Sequence, residues 1–227
     1  MSLLPWTQIE TVLLDMDGTL LDLHFDNHFW LHHIPQKIAQ KRGISLDQAK
    51  QFIQLEYQQV IGTINWYCLD FWAEKLDMNI LEAKREIEHL ISLREDTLPF
   101  LDALHQSGRK VVLVTNAHPD SLSLKVEHTH LDSHIDSLIS THEFGVTKES
   151  QLLWERLHNR LKFNPATTLF VDDSLNILQA AKDFGIEHLL AVKNPDSKQE
   201  TRHIDEFPAI EDYRTLLGEI TTQPFRI

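Results

Sequence analysis

Residues Thr11-Val12-Leu13-Leu14-Asp15-Met16-Asp17-Gly18-Thr19-Leu20-Leu21-Asp22 constrain this chain more than any other stretch. An apolar run passes directly into two acids one residue apart, and then into a Gly-Thr turn. A short apolar run closed by turn residues reads as a buried strand. Residues i and i+2 of an extended segment point the same way, so Asp15 and Asp17 leave the strand end on one side. Gly18 permits a sharp turn and presents an unobstructed backbone N–H to an anion. Carboxylates clustered in this way suit Mg²⁺, a hard cation that takes oxygen ligands and holds a phosphate as well.

The chain has 227 residues, enough for one sizeable domain or for a core with a smaller insert. Hydrophobic residues make up 42% and charged residues 24%, which argues for a globular protein rather than a disordered one. No run is long enough to span a bilayer, and Met1-Ser2-Leu3-Leu4-Pro5 lacks the charged-then-apolar order of an export signal. A cytoplasmic protein without a membrane partner is therefore expected, as a monomer or small homo-oligomer. The single cysteine, Cys68, cannot form an internal disulfide and reads as a core residue rather than a nucleophile. A net charge of −13 argues against a nucleic-acid polymer as partner. A small phosphate ester remains compatible, provided a metal and a few placed cations reverse the field locally. His24, His28, His32 and His33 crowd together, but their irregular spacing fits no zinc pattern and reads as an exposed histidine-rich helix.

Beyond the first strand, residues 22–94 carry helical rather than strand-like patterns. Asp26 to Lys41 reads as a helix kinked or interrupted at Pro35. Ser45 and Gln48 form a capping box that opens a helix toward Ile61, with Gly43 and Gly62 punctuating its ends. Trp66, Leu69, Ala73 and Leu76 keep helical spacing, and a further helix is expected from Asn79 to Leu93. The reading is a four-helix insert between two parts of a core, residues 1–21 and 95–227. In the second part helices and strands alternate. Helices are expected over Thr97–Gln106, Asp120–Thr129, Ser150–Leu161 and Leu175–Phe184. Strands are expected over Lys110–Val114, Ser137–Ser140, Thr168–Val171 and a last one over His188–Val192. Asp196 to Glu206 reads as a loop and Asp212 to Ile220 as a terminal helix. Repeated βα units give an α/β fold, a Rossmann-like three-layer α/β/α core with a parallel sheet and an inserted α-helical cap.

Ligands of open parallel sheets bind beyond the carboxyl ends of the strands. Strand one ends in Asp15 and Asp17, strand two in Thr115-Asn116, and the fourth in Asp172-Asp173-Ser174, while Lys148 follows the third. Each alone has a plainer reading: a turn for Thr115-Asn116, a surface lysine for Lys148, a helix cap for Asp172-Asp173-Ser174. Together they bring two acid pairs, a hydroxyl, an amide and a lysine to one edge. Such a set suits phosphate-ester chemistry, which depends on charge stabilisation and positioning. Asp15 is then the candidate nucleophile and Asp17 the candidate general acid and base. Thr115 and the Asn116 amide are candidates for holding phosphate oxygens, with Lys148 neutralising charge.

The Asp15-to-Leu20 string resembles the first motif, D-x-D-G-T, of the haloacid-dehalogenase-like (HAD) phosphohydrolases, and the remaining groups follow in the order of that family. The resemblance implies an aspartyl-phosphate on Asp15 and Mg²⁺ held by the Asp15 carboxylate, the Asp17 main-chain oxygen and Asp172, with Asp173 in the outer shell. Met16 and Gly18 join the phosphate-contacting positions. Val171 and Glu149 stand where many relatives have Gly and Pro. Asp22-Leu23-His24-Phe25-Asp26-Asn27, Asn65-Trp66-Tyr67-Cys68-Leu69-Asp70, Leu93-Arg94-Glu95-Asp96-Thr97, Thr115-Asn116-Ala117-His118-Pro119, Ser140-Thr141-His142 and Asn194-Pro195-Asp196-Ser197 resemble the bacterial GMP/IMP 5′-nucleotidases of this superfamily. That likeness implies a purine nucleoside 5′-monophosphate as substrate. Tyr67 and Phe71 are candidates to stack on the base and Asp70 to accept its N1–H, against the plainer reading of an aromatic core and a solvated acid. Arg94 is placed either at the substrate or in a surface ion pair. A sugar-phosphate phosphatase or phosphomutase, and a phosphate-ligand sensor without catalysis, are the alternatives.

Overall fold

In the computed structural model, which describes residues 3–225, Thr11–Leu14 forms a strand (β1) with all four residues buried. It pairs in parallel with Lys110–Thr115 (β2) on one side and Thr168–Asp172 (β4) on the other. A strand hemmed in on both edges and both faces has no polar side, which is why its sequence is continuously apolar. Ser137–Ser140 (β3) adds beyond β2, and His188–Val192 (β5) beyond β4. Ala209–Ile210 (β6) follows, pairing with Ala191 and Val192. The order is β3-β2-β1-β4-β5-β6, all parallel. His188–Val192 is thus not the last strand, a correction to the sequence reading. Two residues after Pro208 carry no periodicity, and only their pairing makes them a strand.

Successive residues of β1 enter opposite layers, Val12 and Leu14 on one face and Leu13 on the other. The first face packs under Phe100, Leu104 and Ile220; the second under Trp154, Leu157 and Leu178. These are the three layers of a Rossmann-like α/β/α core. The chain reverses strand order between β1 and β4, and the crevice at their carboxyl ends is where such sheets bind ligands.

Between Leu21 and Leu93 the structure is helical: α1 (His24–His28), α2 (Ile34–Arg42), α3 (Leu46–Val60), α4 (Ile64–Tyr67), α5 (Leu69–Leu76) and α6 (Ile80–Arg85). The two chain crossings pair with each other through an antiparallel Leu21–Leu93 bridge, the Asp22 N–H donating to the Ser92 carbonyl at 3.0 Å. The capping box at Ser45 and Gln48 is formed. Three helices differ from the sequence reading. At Pro35 a π turn over Phe29–His33 takes up the proline instead of a break, because Pro35 has no N–H for the regular ladder. The helix through Trp66 divides at Cys68, because the Trp66 carbonyl receives the Trp72 indole N–H at 2.9 Å. The helix from Asn79 ends at Arg85, and Glu88–Leu90 is a 3₁₀ turn, since Leu93 must be extended to meet Leu21. The insert therefore has more and shorter helices than four. Trp30, Tyr57, Trp66 and Trp72 form its aromatic centre, Tyr57 lying 5.9, 5.1 and 5.3 Å from the three indoles.

The core continues with α7 (Thr97–Gln106), α8 (Pro119–Thr129), α9 (Gln151–Leu161), α10 (Leu175–Phe184) and α11 (Leu217–Thr222). The terminal helix is 3₁₀ over Tyr213–Leu216 before α11. No helix among the described residues is long and apolar enough to cross a membrane. The ends of the chain are tied by buried Arg109, which donates to the carbonyls of Ile9 (3.0 Å), Trp6 (2.5 Å) and Gln223 (2.6 Å). Arg109→Met leaves buried carbonyls without donors, and urea unfolding should report a loss of about 3 kcal/mol with the site chemistry unaltered.

Candidate active site

Because β1 ends at Leu14 in the middle of the sheet, Asp15 emerges into the crevice already walled by β2 and β4. Its Oδ1 accepts from Lys148 Nζ at 2.5 Å and its Oδ2 from the Thr19 hydroxyl at 3.3 Å. The same Lys148 ammonium donates to Asp172 Oδ2 at 2.8 Å, at the end of β4. Lys148 comes from the segment between β3 and α9, far from either acid in sequence, and its placement is set by Asn116. The Asn116 Oδ1 accepts the Lys148 N–H at 2.9 Å and the Thr141 hydroxyl at 3.0 Å. Asn116 Nδ2 donates to Glu149 Oε2 at 3.1 Å. Thr115 Oγ1 accepts the Ala117 N–H at 3.0 Å, and Asp172 Oδ1 the Ser174 N–H at 2.8 Å. The turn reading of Thr115-Asn116 is thus compatible with a place in the site, while the helix beginning at Leu175 has Ser174 at its N-cap without a side-chain cap bond, so Asp172-Asp173-Ser174 forms a turn rather than the expected cap.

Asp17 faces a second cation. Its Oδ1 accepts from Lys125 Nζ at 2.6 Å, and the same ammonium donates to Asp26 Oδ2 at 2.6 Å. Asp26 in turn accepts from Lys84 Nζ at 3.0 Å. Lys125 and Lys84 are 1% and 2% exposed, so these are desolvated pairs in which the charges cannot be screened away. Lys125 stands on the core, Asp26 and Lys84 on the helical insert. The chain Asp17–Lys125–Asp26–Lys84 therefore crosses from one part to the other.

Burial is the largest influence on all these groups. It raises Asp15 to about 6, with Asp172 adding to the rise and Lys148 opposing it. It raises Asp17 to about 7, Lys125 opposing and Asp26 adding. Asp173 lies well above the usual carboxylate range through burial and the neighbouring Asp172 and Asp15 charges. Asp26 is the exception: burial is outweighed by Lys125 and Lys84, and its carboxyl is lowered. Lys148 is raised, because Asp15 and Asp172 override the burial that would neutralise it. Asp15 and Asp17, two residues apart, are thus held by separate lysines in separate settings.

Carboxylate oxygens of Asp15, Asp172 and Asp173 lie within 4.8 Å of one another. An all-oxygen set with three acids is the donor chemistry of a hard divalent cation, so the residues fit Mg²⁺. The Asp17 carboxylate is turned to Lys125 and lies outside this cluster. Gly18 passes beneath it at φ 83°, and a Cβ there would meet Asp173 Cγ and Pro195 Cβ at 2.9 Å. Met16 is fully buried, leaving its backbone as the part able to meet a ligand.

A cavity of about 340 Å³ opens over these groups, lined by Asp15, Asp17, Thr115, Asn116, Lys148, Asp172 and Asp173 below. Trp30, Leu31, Trp66 and Tyr67 of the insert line it above. Tyr67 Oη donates to Glu149 Oε1 at 3.3 Å, so the tyrosine is tied to the Lys148 segment. Phe71 instead packs edge-on against Trp72, and Asp70 is 86% exposed beside His118. Neither lines the cavity. Arg94 is absent from it as well: its guanidinium donates to Asp96 (3.2 Å) and to the carbonyls of Asn194 (2.7 Å) and Glu211 (2.8 Å). The acid that holds it is buried rather than on the surface, Asp96 being 4% exposed. Lys125, Lys84, Asp26 and Glu149 are site residues that motif reading passed over. For Lys125 a signal existed, since Ser121, Leu124 and Lys125 share the inward stripe of α8.

An acid pair at a central strand end, a bridging lysine and an acid cluster at the switch point form the ligand-binding edge of a Rossmann-like sheet, and the chain matches the haloacid dehalogenase-like hydrolase family over residues 9–185. It belongs to that family. GMP/IMP nucleotidase YrfG of Escherichia coli (strain K12) is 46% identical over 217 residues, spanning 96% of this chain and 98% of that one. (S)-2-haloacid dehalogenase 2 of Pseudomonas sp. (strain CBS-3) is 24% identical over 193 residues, spanning 79% and 82%. Among solved structures, a HAD phosphatase from Thermococcus onnurineus superposes with a TM-score of 0.78 at 23% identity, covering 96% of this chain and 100% of that one.

Two substitutions separate site from scaffold. Gly18→Ala displaces Asp173 or the turn and should lower kcat by about 100-fold, measured beside an unaltered far-ultraviolet circular dichroism spectrum. Arg94→Met should cost about 3 kcal/mol in denaturant unfolding while leaving KM unchanged, because the residue clamps the core and does not meet the ligand.

Proposed function

We propose that this protein hydrolyses phosphate monoesters through an aspartyl-phosphate, and that its substrates are purine nucleoside 5′-monophosphates, GMP and IMP foremost. The observation that carries the reading is the environment of the acid pair. Asp15, bridged by Lys148, is poised as nucleophile, and Asp17 at about 7 is poised to hold a proton at neutral pH, both under one aromatic roof. A dehalogenase has no alkoxide to protonate and no need of Asp17 in that state. The 46% identity to a GMP/IMP nucleotidase over nearly all of both chains supports the purine substrate. The aromatic lining from Trp30, Trp66 and Tyr67 supports a flat base.

An Asp15 oxygen attacks phosphorus in line, the P–O ester bond breaks, and Asp17 passes its proton to the leaving 5′ oxygen. The Asp17 carboxylate then takes a proton from water as the hydroxide attacks phosphorus, releasing phosphate and restoring Asp15. Lys148 offsets charge on Asp15 and the transferring oxygens throughout. Thr115 and the Asn116 main-chain N–H hold phosphate oxygens in the first step and product in the second. Asp15, Asp172 and the Asp17 main-chain oxygen would hold Mg²⁺, with Asp173 beside them in the outer shell, and the cation would supply charge neutralisation at the phosphate. The helical insert acts as a cap over the core: it excludes water while closed and frees the nucleoside on opening.

Phosphate release from nucleoside monophosphates and sugar phosphates, with Mg²⁺ and with EDTA, tests the reading. GMP and IMP should exceed AMP, and Asp15→Asn should lose about 10⁴-fold. A preference for sugar phosphates, or dependence on a bisphosphate activator, replaces the nucleotide with a sugar-phosphate phosphatase or mutase. Stabilisation by a phosphate ligand without turnover points to a sensor. Because Asp17 must carry its proton, kcat/KM should fall as pH rises through about 7. Lys125 lowers Asp17, so Lys125→Met should move that falling limb to higher pH.

A further inference from the structure

β2 and β3 are neighbours in register, with Thr115 opposite Ser140. The turns that leave them rise side by side and deliver His118 and His142 to one place, ring centroids 5.1 Å apart and planes at 76°. Hydrogen bonds lock the two turns together, from Ser140 Oγ to the Ala117 carbonyl at 2.7 Å and from Thr141 Oγ1 to Asn116 Oδ1 at 3.0 Å. Over them the insert places Cys68, at the break between α4 and α5, where its side chain makes no capping hydrogen bond. One ligating atom from each of Cys68, His118 and His142 lies within 4.8 Å of the others.

The state of His142 points to a ligand. Its ring is hydrogen-bonded to the backbone of Asn116, while its Nε2 is buried without a partner. With the other nitrogen donating to a carbonyl, Nε2 carries a lone pair, which is how a metal-binding imidazole is set up. Burial is the largest influence on the ring and pushes it below its ordinary range. His118 directs Nε2 toward the insert, 3.5 Å from Asp70 Oδ2, while its Nδ1 accepts the Asp120 backbone N–H at 3.2 Å and caps α8.

We propose that Cys68, His118 and His142 form a binding site for a borderline-soft divalent metal of the Zn²⁺ type, with Asp70 or water in the fourth position. One sulfur and two imidazole nitrogens select against Mg²⁺ and for Zn²⁺, so the site is chemically separate from the all-oxygen cluster of Asp15, Asp172 and Asp173. Binding releases the Cys68 thiol proton to solvent and moves the His118 proton from Nε2 to Nδ1, which gives up the Asp120 N–H and turns to Asp120 Oδ2, 3.7 Å away. Bonds of about 2.0–2.3 Å set tetrahedral ligands roughly 3.5 Å apart, a separation compatible with three donors that lie within 4.8 Å of one another. Cys68 stands on the insert and both histidines on the core. The bound ion therefore cross-links the two and, resting on the proposed cap motion, inhibits turnover by holding the cap closed.

The full-length protein is titrated with Co²⁺ in excess Mg²⁺, and the thiolate-to-cobalt charge-transfer band is read in the near ultraviolet. One equivalent should develop the band, Zn²⁺ should bleach it, Cys68→Ser should abolish it, and His142→Gln should weaken binding by about tenfold or more. Absence of the band, or an affinity unchanged in His142→Gln, overturns the site. In turnover, Zn²⁺ should inhibit the parent protein at concentrations about tenfold below those needed for Cys68→Ser, both being active without Zn²⁺. Equal inhibition of the two places the ion on the carboxylates and overturns the cross-link. The band in a protein that turns over no phosphate ester supports the site while removing the phosphatase reading.

Discussion

The structure depends on keeping a concentration of negative charge buried at the carboxyl edge of a parallel sheet. Asp15, Asp17, Asp26, Asp172 and Asp173 face Lys84, Lys125 and Lys148, so acids outnumber cations at this edge. Desolvation of such a group costs several kcal/mol per ion unless partners are well placed. The protein's response is visible in the raised Asp15, Asp17 and Asp173 carboxyls. An excess of acids around an oxygen cluster is also the electrostatic demand that a divalent cation meets. A chain with net charge −13 can thus accept a phosphate, because the local balance, not the global one, governs the crevice.

Two lysines divide the work. Lys148 joins the ends of β1 and β4 at the switch point, and its own position is dictated by Asn116 at the end of β2. Three strands therefore determine one ammonium, which is more rigid than any loop could make it. Lys125 instead joins Asp17 to Asp26 on the insert. Any movement of the insert changes the surroundings of Asp17, so proton transfer and cap position are physically coupled in the proposed mechanism. The Leu21–Leu93 bridge and the Arg94 clamp hold the two crossings in place.

Much of this was legible in the chain before any coordinates. Val12-Leu13-Leu14, closed by turn residues, read as a buried strand, and the strand-end rule then gathered Asp15, Asp17, Thr115, Asn116, Lys148 and Asp172 at one edge, where the structure brings them together. The capping box at Ser45 and Gln48 was equally plain. These are local signals: periodicity, turn chemistry and caps depend on neighbours within a few residues. What escaped was set by contacts distant in sequence. The Trp72 indole broke a helix by taking a carbonyl from Trp66, and Pro35 was absorbed in a π turn.

The sequence by itself determined the parallel α/β core, the helical insert after the first strand and the identity of the acids. Those follow from patterns that the backbone must satisfy wherever it folds. Only the tertiary structure decided that Asp17 belongs to Lys125, 108 residues away, and that Lys125 is shared with Asp26, 99 residues away. It also decided that Arg94 serves the scaffold, and that Cys68 meets His118 and His142. A partner's distance and a group's burial are properties of the assembled fold, and the charge state of a carboxyl is set by both.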